Sequence, residues 1–122
     1  MTVVGPDELV FRDFPGRSTA DPFQVEGGGA STVRQVVIEH VQTRSPHRHP
    51  HSEEIVFVVS GRGRVWLDGT FHEVGPGTWY RIPRGTPHAT MADPGETMSL
   101  VCFFPHDDLS SNIEELDLLL DG

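Results

Sequence analysis

The stretch that decides the fold is Pro46-His47-Arg48-His49-Pro50-His51-Ser52-Glu53-Glu54-Ile55-Val56-Phe57-Val58-Val59-Ser60-Gly61. Three histidines and two glutamates fall within the eight positions from His47 to Glu54, and a strand-like apolar run follows at once. In extended backbone His47 and His49 leave the same face, because side chains alternate with a period of two. Imidazole nitrogens with a carboxylate, here from Glu53 or Glu54, are a ligand set for a divalent transition metal such as zinc, iron, manganese or nickel. A further ligand must come from elsewhere, and His88 in Pro83-Arg84-Gly85-Thr86-Pro87-His88 is the candidate.

Outward from that stretch the chain reads as strands. Val33 to Val41 is β-branched and extended, and Ile55 to Ser60 is short enough for a buried strand. Arg64-Val65-Trp66-Leu67 and Thr70-Phe71-His72-Glu73-Val74 flank Asp68-Gly69, a strong hairpin signal. Gly75-Pro76-Gly77 turns into Thr78-Trp79-Tyr80-Arg81-Ile82, Pro83 to Pro87 bend again, and Ala92-Asp93-Pro94-Gly95 makes another turn. Thr97 to Phe104 is apolar on both parities, which predicts a strand covered on two sides. Strands at this even spacing imply a closed or double-sheet antiparallel barrel.

The two histidine stretches carry a family resemblance. His47-x-His49-x4-Glu54-x6-Gly61 resembles the first motif of the cupin superfamily, and Gly77-x5-Pro83-x-Gly85-x2-His88 resembles the second. Fifteen residues, 62–76, separate them, as in small single-domain microbial cupins. The resemblance spans about residues 40–104 and implies an all-β jelly-roll barrel holding one divalent metal per chain on His47, His49, Glu54 and His88. The six-residue gap to Gly61 is what selects Glu54 over Glu53, and it aligns His51 with a position that is not a ligand. The departure is Ala92, where the second motif usually ends in asparagine. Cupins with such ligands include cyclases, isomerases, lyases and dioxygenases, so the resemblance implies a metal-dependent enzyme acting on a small organic molecule. A metal-stabilised binding or sensor domain is the reading from another class.

Further site candidates follow from parity. A Glu54 that points inward brings Val56, Val58 and Ser60 to the cavity lining. His40 shares the parity of Val36 and Ile38 and is a candidate acid or base. Tyr80 and Ile82 share one face and Trp79 and Arg81 the other, so the inward pair supplies either a phenol or a guanidinium. The catalytic candidates are Glu54, also a ligand, with His40 and Tyr80, and an inward Arg81 would imply a carboxylate-bearing substrate. His51 reads as a rim residue, His72 and His106 as surface residues, and Cys102 as a small buried hydrophobe.

Composition bounds the rest. A chain of 122 residues is one domain, and 36% hydrophobic content with ten prolines and thirteen glycines favours short strands and turns. The net charge is −9 and all nine basic residues are arginines, which argues against nucleic acid and anionic membranes as partners and excludes lysine chemistry. A single cysteine and an N-terminus without a basic, apolar leader point to a cytoplasmic protein. Residues 1–30 are expected to form a leading segment with a short edge strand at Leu9-Val10-Phe11, a flexible Gly27-Gly28-Gly29 connection and contacts to a partner in a homodimer. Residues 31–105 are the barrel. In the tail, 106–122, Ser111-Asn112-Ile113-Glu114 reads as a capping box, with Ile113, Leu116 and Leu120 following at helical spacing, which predicts a short C-terminal helix.

Overall fold

The computed structural model describes residues 3–23 and 30–122, so the Gly27–Gly29 connection lies outside the described residues. Its strands in chain order are β1 (Arg12–Phe14), β2 (Arg17–Ala20), β3 (Thr32–Glu39), β4 (Thr43–Arg44), β5 (His47–Arg48), β6 (Glu54–Ser60), β7 (Gly63–Leu67), β8 (Thr70–Val74), β9 (Trp79–Ile82), β10 (His88–Ala92), β11 (Thr97–Phe104), β12 (Glu114–Glu115) and β13 (Leu120–Asp121). One sheet runs β1-β2-β3-β11-β6-β9, the other β12-β5-β10-β7-β8, and β13 pairs with β4. The neighbours pair antiparallel, and the two larger sheets enclose one core as a jelly-roll barrel.

Alternation builds that core. Glu54, Val56 and Val58 of β6 point inward, as do Met98, Leu100, Cys102 and Phe104 of β11. Each buried aliphatic side chain contributes about 1.5–3 kcal/mol of transfer free energy, which lets the barrel stand with its one cysteine unbridged. The Asp68-Gly69 hairpin forms as predicted: both residues take positive φ, 44° and 101°, and Leu67 pairs with Thr70. Gly61 has a different reason to be glycine. Its φ is +82°, and a Cβ there would lie 2.1 Å from the carbonyl oxygen of Thr97.

Several expectations are corrected. β11 is covered on one side only, with Val101 and Phe103 exposed on the outer face, because this chain places nothing over that face among the described residues. Ser60 ends β6 exposed and does not line the interior. The leading edge strand is Arg12–Phe14 instead of Leu9–Phe11, preceded by a 3-10 turn at Pro6–Glu8.

The C-terminal helix does not form: that turn is the one helical element among the described residues. The tail instead supplies β12 and β13 to open strand edges. Leu116 N–H donates to the Pro46 carbonyl and Gly122 N–H to the Gln42 carbonyl, at 3.0 and 2.8 Å. A helix this short is marginal in water, whereas the unpaired edges of β4 and β5 offer partners for every second backbone group. The capping sequence is diverted as well, since Asn112 is fully buried and its side chain bonds the loop between β5 and β6. No helix among the described residues is long and apolar enough to cross a membrane.

Candidate metal centre

Both large sheets contribute to one end of the barrel. His47 on β5 and His88, first residue of β10, are direct cross-strand partners, so their side chains leave the same face. Glu54 enters from the opposite sheet as the first residue of β6. His49 lies in the turn between them. One ligand atom from each of His47, His49, Glu54 and His88 falls within 4.8 Å of the others, and the rings of His47 and His88 are 4.4 Å apart. The four predicted ligands therefore converge.

The hydrogen bonds behind the rings decide what they present to one another. Nδ1–H of His49 donates to the Asn112 carbonyl at 2.7 Å, and Nδ1–H of His88 to the Thr86 carbonyl at 2.9 Å. A carbonyl only accepts, so each ring carries a proton on Nδ1, and the neutral ring turns an Nε2 lone pair inward. Both Nε2 atoms sit 3.1 Å from Oε1 of Glu54. These three atoms are buried without a hydrogen-bond partner. Lone pair facing lone pair at that distance repels, and a shared cation reverses the sign. Backbone carbonyls that hold ligand rings from behind are the usual support of a metal site.

Protonation favours the same state. Burial alone would raise the Glu54 carboxyl, but Nε2–H bonds and positive charge from His49 and His88 outweigh it and hold it well below the ordinary carboxylate range, the role a cation takes over when those rings are neutral. Burial, then the neighbouring His88, lowers His47 well below its ordinary value, leaving a neutral imidazole. The residues present fit a divalent ion in both donor type and protonation.

An internal cavity of about 70 Å³ lies against this cluster. Val36, Ile38, Val56, Ile82 and Leu100 form its aliphatic wall, and Leu109 and Ile113 of the tail complete it. Cys102 also lines it, and burial followed by the Glu54 carboxylate pushes its thiol up, so it stays protonated.

The other candidates separate. Tyr80 and Ile82 form the inward pair of β9, while Trp79 and Arg81 face out. The Tyr80 hydroxyl bonds Oγ1 of Thr90 at 2.5 Å, and burial raises its pKa. Thr90 lines the cavity and Tyr80 stands behind it. Arg81 pairs with Glu53 at 3.0 Å on the surface, which removes both from the site.

His40 is displaced from its expected place. It follows the end of β3 and its Nδ1 lies 3.1 Å from the carbonyl of Ala92, the residue at the opposite end of β10 from His88. It is not among the residues that line the cavity. His51 is exposed and stacks on His106, with ring centres 5.7 Å apart.

Sequence reasoning missed Asn112, Thr86 and three cavity arginines, Arg17, Arg34 and Arg44. The Asn112 and Thr86 carbonyls act through the backbone, which leaves no residue-type signal. The arginines come from the leading segment and from strands whose partners could not be assigned.

Comparison with known proteins gives the family and the fold. The cupin domain family matches residues 34–104, and the chain belongs to that family. Comparison with curated proteins finds no match. Among solved structures the chain is similar to the polyketide cyclase RemF from Streptomyces resistomycificus, at TM-score 0.75 and 21% identity over 99% of this chain and 84% of that one. It is similar to a Streptomyces Pac13 variant with uridine, at TM-score 0.77 and 16% identity over 97% and 92% of the two chains. KdgF from Halomonas sp. matches at TM-score 0.71 and 23% identity, over 86% and 94%. At these identities the likeness establishes the fold.

Proposed function

We propose that this cupin is a metal-dependent enzyme that carries out non-redox chemistry of the cyclase, isomerase or lyase kind on a small organic molecule. The observation that carries the reading is the convergence of two imidazole Nε2 atoms and a carboxylate oxygen, all buried and without a hydrogen-bond partner, beside a cavity with an aliphatic wall. The solved structures support its direction, since RemF is described as a polyketide cyclase and Pac13 as a nucleoside dehydratase.

A divalent ion on these residues supplies Lewis-acid polarisation of a substrate oxygen. The chain's own groups set the conditions for it. His49 and His88 are fixed in one tautomer, Glu54 stays ionised, and His47 stays neutral. The aliphatic wall lowers the dielectric on its side of the site, which strengthens charge interactions there. Thr90, held by Tyr80, presents a hydroxyl at the cavity wall.

The test is elemental analysis of the purified protein beside His88→Ala, with oxygen uptake measured after anaerobic iron loading. The expected result is about one metal per chain, lost in a variant that remains folded, and no oxygen uptake. Absence of metal even after reconstitution would overturn the metal centre. Iron-dependent oxygen uptake would overturn the non-redox assignment.

The same proposal places the enzyme in the cytoplasm as a homodimer. Trp79, Phe57 and Val101 lie in one cross-strand row on the outer sheet face, with Trp79 at 67% exposure. An apolar row of this size is an interaction surface, and a second copy of the same face is self-complementary about a two-fold axis. Sedimentation of Trp79→Glu as a monomer, against a wild-type dimer, is the expected outcome.

A further inference from the structure

Resting on the metal-centre reading, the cavity's charge allows a step towards the substrate. Arg17, Arg34 and Arg44 all line the inner cavity. They are not equivalent. Arg34 is neutralised by Asp21 through two bonds, Nε to Oδ1 at 2.6 Å and an Nη to Oδ2 at 2.9 Å. Arg17 and Arg44 make no ion pair and no side-chain hydrogen bond among the described residues. Nε of Arg44 is buried with no partner at all.

A second cavity of about 280 Å³ adjoins the first, and Arg17, Arg44 and His47 line both. The two guanidiniums therefore stand on the boundary the cavities share, beside a metal ligand. Glu115 is the one acid lining the outer cavity; it forms no ion pair with either arginine, though its charge attracts Arg44 from a distance. Burial, and then Arg17, lowers the pKa of Arg44. A buried cation next to a second cation is costly unless an anion arrives to pair with it. In a chain of net charge −9 these two arginines without an ion pair, Arg17 lying over the Phe14 ring, are local and specific.

We propose that the substrate carries a carboxylate, which Arg44 and Arg17 hold at the boundary of the two cavities while the adjoining carbon skeleton reaches the metal centre. The planar guanidinium matches a carboxylate by two parallel N–H to O bonds. The 70 Å³ inner cavity with its aliphatic wall accepts only a small part of the skeleton, and the 280 Å³ outer cavity takes the remainder. Arginine thus does the task that an inward Arg81 would have done, from the opposite side of the barrel.

The experiment is calorimetric titration of the zinc-loaded and metal-free protein with acetate, benzoate and succinate, each beside its amide, and with inorganic phosphate. At least one carboxylate should bind the zinc-loaded protein more tightly than its amide by about tenfold or more, and Arg44→Gln should remove about tenfold of that affinity. Arg17→Gln is the second variant should Arg44→Gln fail to fold, and Arg81→Gln, the same charge change on the surface, should leave binding unchanged. Equal binding of acids and amides, an Arg44→Gln or Arg17→Gln protein with unchanged affinity, or phosphate binding tighter than every carboxylate would overturn the proposal. The two readings fail separately. Carboxylate selectivity that depends on Arg44 in a protein that takes up no zinc removes the metal centre alone, and zinc uptake with no dependence on either arginine removes the anion site alone.

Discussion

The Nδ1–H of His49 donates to the main-chain carbonyl of Asn112, 63 positions later, at 2.7 Å. That one bond joins a metal-ligand candidate to the tail, and it fixes which nitrogen of the ring faces Glu54. The Asn112 side chain holds the carbonyl in place, accepting from His51 N–H and donating to Ser52 Oγ, both at 2.7 Å.

Asn112→Ala keeps the carbonyl but removes both anchors. Leaving the His51 N–H and Ser52 hydroxyl without those bonds should cost about 1–3 kcal/mol of stability, and metal affinity should fall about 10–100-fold as His49 loses its fixed orientation. Thermal unfolding and a competitive chelator titration measure the two. A drop in stability with unchanged metal affinity would show that the tail does not orient His49.

Stability of the metal-free protein should fall with acidification. His47 is lowered well below its ordinary 6.5 by burial and then His88, so the unfolded chain binds a proton there that the folded one resists. Below about pH 6.5 the unfolded state therefore gains, and the loss grows toward about pH 5. Glu54 is depressed from its ordinary 4.5. Its stabilisation is complete above the unfolded value and is lost as pH falls through the folded one, which adds the same sign at lower pH. Urea midpoints at about pH 7.5, 6.5 and 5.5 should decline in that order, and His47→Gln should flatten the decline. A midpoint that rises toward acid would contradict the assignment.

Two motif glycines should respond differently to alanine. At Gly61 the new Cβ would lie 2.1 Å from the Thr97 carbonyl oxygen, so backbone must move and the loss should exceed about 3 kcal/mol. At Gly85, φ is +76° but a Cβ meets nothing within 4 Å, so only the left-handed conformation is penalised, about 1–2 kcal/mol. Denaturant unfolding of both variants gives the comparison, and equal losses would refute the close approach at Gly61.

Tyr80→Phe separates support from chemistry. The phenol is raised by burial and spends its hydroxyl on Thr90. The variant should lose about 1 kcal/mol of stability and retain its metal stoichiometry. A variant without metal would place Tyr80 closer to the centre than Thr90 allows.

Legibility followed the range of the interactions. The ligand set was readable because the ligands fall in two short stretches that resemble the cupin motifs, the resemblance selecting Glu54 by its distance from Gly61 and His88 by its distance from Gly77. The Asp68-Gly69 hairpin was readable for the same reason. What failed depended on partners distant in sequence. The helix expected from Ile113, Leu116 and Leu120 lost to edges at Pro46 and Gln42. His40 sits by Ala92, away from the cavity lining, which only strand register determines. Arg17 and Arg44 reach the cavity through pairings of β2 with β3 and β4 with β13 that no local pattern encodes.

The His49–Asn112 bond also sets an order of events. The strands that carry the ligands can pair among themselves, but His49 has no fixed tautomer until residue 112 returns across 63 positions of chain. An ion that arrives before the tail has docked meets a ring free to turn either nitrogen toward it. The tail is thus the segment that makes the barrel a competent receptor for its metal.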